Sequence, residues 1–260
     1  MKFCSLASGS SGNSQYIETD QARILVDGGL SGKAIEKNLE AIGVDPASLD
    51  AILVTHEHTD HVKGVGVLAR RFDLEVFANE NTWLAMEKTV KTIPKAQVFS
   101  QEEAFSYRDL DILPISTYHD CVRGTAYVLR QGARKISLLT DTGQVTKKIL
   151  TAMAGSDLYY IEANHDRTML AQGPYPRALK NRIASKWGHL SNDHTAEVLS
   201  RLLEKRQEHV VLGHLSRDNN LPRVATRTIR EGLAKNKILE GIDFSLEVAK
   251  PLAASRCIEI

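Results

Sequence analysis

Cysteine is scarce in this chain: Cys4, Cys121 and Cys257 are three thiols in 260 residues, widely spaced and odd in number. That pattern argues against a disulfide framework and for reduced thiols in the cytoplasm. An excess of charge is also missing, since 33 Lys and Arg face 32 Asp and Glu. Composition as a whole gives no argument for nucleic acid, and any such argument must be local. No apolar stretch approaches the length of a membrane span, and the N-terminal MKFCSLASGSSGN has no extended apolar core after its lysine. Neither a membrane span nor a secretion signal is expected. No Pro/Ser-rich linker, low-complexity run or fixed-period repeat divides the chain. With 42% apolar residues, residues 1–260 suffice for one sizeable α/β domain.

Hydrophobic periodicity gives the class. The first ninety residues alternate: KFCSLA, QYIE and RILVD read as strands, KAIEKNLEAIG as an amphipathic helix, and AILVT as a strand, followed by a helix after Gly64 and a strand at EVFA. Short strands dominate from there to about Asp141. Beyond it, LYYIEA and VVLG read as strands, with helices from about Arg177 to Trp187, from about Ser191 to Lys205 and from about Pro222. This alternation specifies an α/β protein without selecting one fold among several.

The chemistry is concentrated in THEHTDH, residues 55–61. Side chains alternate across an extended backbone, so His56 and His58 can point to one side and share a metal, while Asp60 and His61 beyond the bend serve a second. Two ions need more ligands than one loop supplies. His119 follows LDILPISTY, Asp141 ends KISLLTD, and His214 ends HVVLGH; each stands where a strand can deliver it rigidly to a common edge. Asp141, with two carboxylate oxygens, is the natural bridge. Asp27 repeats the pattern after ARILV. Cys121 is near enough to His119 in sequence to be a soft ligand, but the nitrogen and oxygen donors already suffice, and a small buried thiol is the better reading.

The order Asp27, His56-x-His58-x-Asp60-His61, His119, Asp141, His214 resembles the metallo-β-lactamase superfamily over nearly the whole chain. The resemblance implies a four-layer αββα sandwich with a dinuclear site at one edge. Carried over position by position, His56, His58 and His119 hold one metal, Asp60, His61 and His214 the other, and Asp141 bridges; Asp27 orients a ligand without touching an ion. Mixed imidazole and carboxylate donors suit zinc, manganese or iron.

Glu162 in LYYIEA and His189 in GHLSN, both ahead of His214, resemble the tail of ribonuclease Z-type nucleases of the superfamily. There a Glu and a His form a proton-donating pair; Asn164 or His165 could take the place of Glu162. Asp60, Glu162 and His189 are the candidate catalytic residues. LASGSSGN, TDTG, EANHD, GHLSN and GHLSRDNN are together similar to the YycJ (WalJ) branch. That likeness implies a 5′-to-3′ double-stranded DNA exonuclease linked to DNA repair, with a metal-bound hydroxide as nucleophile.

Substrate contacts are less marked. SGSSGN offers Ser10 and Asn13 to a phosphate, or is only a turn needing Gly9 and Gly12. Arg223, Arg227 and Arg230 recur at helical spacing and could neutralise DNA phosphates, or could form a solvated face. Two rival functions stand beside the nuclease. One is a small-molecule hydrolase of the same fold cleaving a phosphodiester, thioester or lactone. The other is a DNA-binding module with structural metals, which the two-metal set disfavours because structural sites are usually closed, single-ion sites.

Overall fold

The computed structural model describes residues 1–260. The chain begins with β1 (Lys2–Ala7), β2 (Ser14–Glu18), β3 (Arg23–Val26), α1 (Gly32–Glu40), β4 (Ala51–Leu53), α2 (Thr59–Val62) and α3 (Val65–Phe72). It continues with β5 (Glu75–Asn79), α4 (Glu80–Val90), β6 (Lys95–Phe99), β7 (Phe105–Tyr107), β8 (Leu110–Ser116), β9 (Thr125–Gln131) and β10 (Arg134–Leu139). Then come α5 (Lys147–Met153), β11 (Leu158–Glu162), α6 (Arg167–Gln172), α7 (Arg177–Ile183) and α8 (Asn192–Leu202). The chain closes with β12 (Glu208–Gly213), α9 (Pro222–Ala234), β13 (Phe244–Val248) and β14 (Ile258–Glu259). These residues fall into two compact units: Met1–Ser116, Cys121–Ala133 and Ala249–Ile260 in the first, Thr117–Asp120 and Arg134–Val248 in the second.

The first unit contains a seven-stranded sheet in the order β14-β1-β2-β3-β4-β5-β6. Its pairs are antiparallel as far as β3 and parallel from β3 to β6. Parallel strands require helical cover. Leu25, Ile52 and Val76 accordingly join a buried cluster with Ile35 and Leu39 of α1, Leu68 and Ala69 of α3, and Met86 and Val90 of α4. The helix α4 is absent from the sequence expectation. Its apolar signal is blurred, because Thr82, Met86 and Val90 are buried while Leu84 is 71% exposed. Its start is fixed instead by Asn79, whose side chain accepts from the Thr82 N–H at 2.9 Å. Strands β7, β8 and β9 form an antiparallel run in the same unit.

The second unit is built on β10, β11, β12 and β13, all parallel. Leu139 is in register with Ile161, and Ile161 with Leu212, so the carboxyl ends of three adjacent strands lie at one edge. The residues just past those ends are Asp141, Glu162 at the last strand position, and His214. Helix α8 buries Ala196, Leu199 and Leu202, and α9 buries Ala225, Ile229 and Leu233. Helix α7 stops at Ile183, short of Trp187, because the chain tightens there: Ser185 Oγ donates to Arg182 O at 2.8 Å and Gly188 N to Ser185 O at 3.0 Å. No helix is long and apolar enough to cross a membrane, and no disulfide joins the three cysteines.

Candidate metal centre

In the first unit the expected ligands are held by a network rooted in β3 and β4. Asp27 leaves β3 at φ +63°, a left-handed conformation rare outside glycine that Asp and His adopt more readily than most residues. This turn directs its carboxylate onto His61 Nδ1 at 2.7 Å, both groups being almost wholly buried. The same carboxylate accepts from the Thr55 N–H and from Thr55 Oγ1, each at 2.8 Å. Thr55 Oγ1 also lies 3.0 Å from His56 Nδ1. With Nδ1 of both rings thus occupied, Nε2 of each is the nitrogen that could hold an ion. His56 Nε2 stands 3.0 Å from His58 Nδ1, a span that two nitrogens each roughly 2.0–2.1 Å from a shared zinc ion can bridge. Asp60 Oδ2 is 3.7 Å from His61 Nε2.

This loop is clamped from behind by backbone. Gly29 donates to Asn13 O and Asn13 N to Asp60 O, each at 2.8 Å. A Cβ on Gly29 would lie 1.7 Å from Asp60 O and 2.6 Å from Asn13 N. We predict that Gly29→Ala destabilises the fold by about 1–3 kcal/mol, the usual cost of overpacking, read as a lowered denaturant midpoint; an unchanged midpoint would show that the clamp has slack. Asn13 itself corrects an expectation. It is 1% exposed, its Oδ1 accepts from Gly9 N at 2.8 Å, and its Nδ2 lies 3.1 Å from His61 Nε2, so it braces the loop and presents nothing to a substrate. Ser10 is exposed, beside Gly9 at φ +128° and Gly12 at φ +151°.

In the second unit the parallel strands gather the remaining candidates. Asp141 (φ +55°) and His214 (φ +51°) repeat the left-handed turn seen at Asp27. Strain at three strand ends that each carry a polar side chain to the edge is typical of functional positions. Asp141, Glu162, His189 and His214 offer potential ligand atoms all within 4.8 Å of one another. His119 belongs to the same group: its Nδ1 is 3.1 Å from Gly188 O and its Nε2 is 3.8 Å from Asp141 Oδ1. Burial lowers the His119 pKa against the pull of Asp141, which favours the neutral ring that a metal ligand requires. No Lys or Arg belongs to the four-residue cluster, and its mix of imidazole and carboxylate donors suits a divalent ion.

Glu162 is 0% exposed and is the hub of this unit. Its Oε1 accepts from the Thr142 N–H at 2.9 Å and the Leu190 N–H at 3.0 Å, and its Oε2 lies 3.0 Å from His189 Nδ1. Burial opposes its ionisation, but His189 and His214 more than offset this and hold its pKa far below the ordinary range. Of Glu162, Asn164 and His165, it is Glu162 whose side chain meets His189 Nδ1. Asn164 Nδ2 is committed to His214 O at 3.0 Å, and His165 is pushed down to about pKa 4 by burial.

Thr55 and Thr142 were not anticipated, since a threonine near a ligand is not distinctive in sequence. Asp120 was also missed, although it directly follows His119: its Oδ1 is 3.1 Å from His119 Nε2, and its Oδ2 pairs with Arg182. Arg230 is corrected in part. It is paired with Glu240, ten residues away, Nη2 donating to Oε1 at 3.1 Å, whereas Arg223 and Arg227 stay exposed on α9.

Residues 22–215 match the beta-lactamase superfamily domain, and the chain belongs to that superfamily, with its αββα fold class. Among full-length relatives it is 43% identical over 263 residues to the exodeoxyribonuclease WalJ of Streptococcus pneumoniae serotype 2 (strain D39), covering 100% of this chain and 98% of the relative. It is 38% identical to the exodeoxyribonuclease YycJ of Bacillus anthracis, covering 96% of each. The metallo-beta-lactamase fold protein YhfI from Bacillus subtilis superposes with a TM-score of 0.72 at 17% identity, covering 98% of this chain and 100% of that one.

Proposed function

We propose that the protein is a metal-dependent exodeoxyribonuclease that degrades duplex DNA from 5′ ends in the cytoplasm, in the service of DNA repair. The observation that carries this reading is the Glu162–His189 pair, 3.0 Å apart, beside Asp141 and His214. A thioester has a thiolate leaving group that departs without much help. The alkoxide leaving group of a phosphodiester is strongly basic and needs a proton. Full-length relatives named exodeoxyribonucleases support the same reading.

Two divalent ions, zinc, manganese or iron, fit the donor set. His56, His58 and His119 would hold one, Asp60, His61 and His214 the other, with Asp141 shared, so residues 1–260 act as one functional domain. When bound, such ions supply Lewis acidity toward the phosphate oxygens and make a water acidic enough to attack at neutral pH. The chain supplies the rest. Glu162 fixes the His189 ring through Nδ1, leaving Nε2 for the substrate. As the scissile P–O bond breaks, Nε2 gives its proton to the departing deoxyribose oxygen.

The test is purified, metal-loaded protein on end-labelled duplex DNA, single strands, RNA and a chromogenic phosphodiester. Release of nucleotides from 5′ ends of duplex supports the proposal; turnover of the chromogenic substrate alone overturns it in favour of a small-molecule hydrolase.

Salt dependence gives a further check. Each neutralised phosphate contributes about 0.9 to the slope of log K against log salt. Replacing both Arg223 and Arg227 with Ala is expected to reduce that slope by roughly 1–2 units, about equally for different duplex sequences. Arg230→Ala is expected to change it least, because Glu240 already balances that charge. A slope untouched by the double substitution would assign the two arginines to an ordinary solvated face.

A further inference from the structure

Beside His189, within the second unit, lies a cavity of about 440 Å³ that the chemistry above leaves without a role. This is within the range of roughly 300–1,000 Å³ typical of small-ligand pockets. Its walls come from α6, α7 and the start of α8. Arg167, Arg177 and Lys180 contribute cations, Leu170 and Ala171 an apolar surface, and no carboxylate lines it. Arg167 is partly balanced by Asp193 at 3.6 Å. Lys180 donates to Ala171 O at 2.8 Å, which holds its ammonium at the cavity without neutralising it. Arg177 is exposed. His165, 3% exposed, also lines the wall, and its Nδ1 has no hydrogen-bond partner; a buried polar group left unsatisfied in this way calls for a ligand or a role.

We propose that this cavity is a mononucleotide subsite, with Arg177, Lys180 and Arg167 on the phosphate and the Leu170–Ala171 surface against the base or sugar. The proposal rests on the exonuclease reading and deepens it. His189 also lines the cavity, and the oxygen it protonates must lie within its reach. The nucleotide that bears the departing oxygen is therefore the one that enters the cavity. Space for about one nucleotide, walled by α6 and α7, suits removal of terminal residues one at a time.

The experiment is calorimetric titration of the full-length, metal-loaded protein with deoxyadenosine 5′-monophosphate, deoxyadenosine and inorganic phosphate. Two variants act by different means: Arg177→Ala/Lys180→Ala removes charge, and Ala171→Trp fills space from an exposed position. The parent is expected to bind the nucleotide at least about tenfold more tightly than the nucleoside, the scale of one charge-assisted hydrogen bond. Both variants are expected to lose about tenfold or more of nucleotide affinity, with metal content and unfolding midpoint unchanged, while inorganic phosphate binding falls in the charge variant and changes little in Ala171→Trp. Nucleotide affinity unchanged in both variants would overturn the subsite. So would loss in the charge variant alone, which would mean attraction at a distance. A parent that digests duplex DNA while the variants bind normally leaves the nuclease reading standing and removes the subsite. A parent inert on DNA whose nucleotide binding is lost in both variants does the reverse.

Discussion

Asp141→Ala is expected to abolish turnover and to leave the protein with substoichiometric metal. The carboxylate is 3% exposed and sits within 3.8 Å of His119 and 3.4 Å of His214, imidazoles proposed to serve different ions. Its loss would remove a ligand from both ions and leave two cations facing each other without the intervening negative charge. The penalty should exceed the roughly 10–100-fold that follows loss of a group supporting a metal ligand, and should exceed that of His119→Ala, which removes one ligand from one ion. Elemental analysis and steady-state turnover, measured together, decide the point. A variant that keeps two equivalents of metal and a near-normal rate would show that Asp141 does not bridge.

His189→Ala is expected to lower turnover on DNA by roughly 10²–10⁴, the usual range for loss of a general acid, with metal content intact. A nitrophenyl phosphodiester, whose leaving group departs as a stable anion, should be affected much less. Equal losses on both substrates would reassign His189 to substrate positioning. Glu162→Gln should follow the same pattern, because an amide cannot replace the carboxylate that faces His189 Nδ1 at 3.0 Å. The double variant should fall well short of the product of the single losses, since the pair acts as a unit. Glu162 also accepts from Thr142 N and Leu190 N, so its variant's unfolding midpoint must be compared with the parent's before the kinetics are assigned to proton transfer.

Some of this was legible in the sequence because it is local. THEHTDH fixes the spacing of four candidate ligands within one loop, and alternation along an extended backbone is enough to pair His56 with His58. Asp27, Asp141 and His214 could be picked out because each ends an apolar strand signal, and within the second unit the parallel strands bring Asp141 and His214 to one edge. Similarly, Ser191 marks the start of α8, where it caps the helix by accepting from the His194 N–H.

What the sequence could not decide depended on partners distant along the chain. Nothing near Asn13 announces that its amide will be used on Gly9 and His61, and nothing near Arg230 announces Glu240. The choice of Glu162 over Asn164 and His165 rests on strand register. At the end of β11, Glu162 is opposite Gly213 and meets a loop from α7 that arrives only after the helix closes at Ile183. Asn164, two residues later, has already turned to His214 O, and His165, one further, lines the cavity beside His189. The cavity beside His189 was equally invisible, since Arg177 and Lys180 read as a basic run until α6 and α7 fold their faces together. Spacing along the chain determines which groups can share a loop or an edge; only the packed structure determines which of them are buried, which are already paired, and which are left for a ligand.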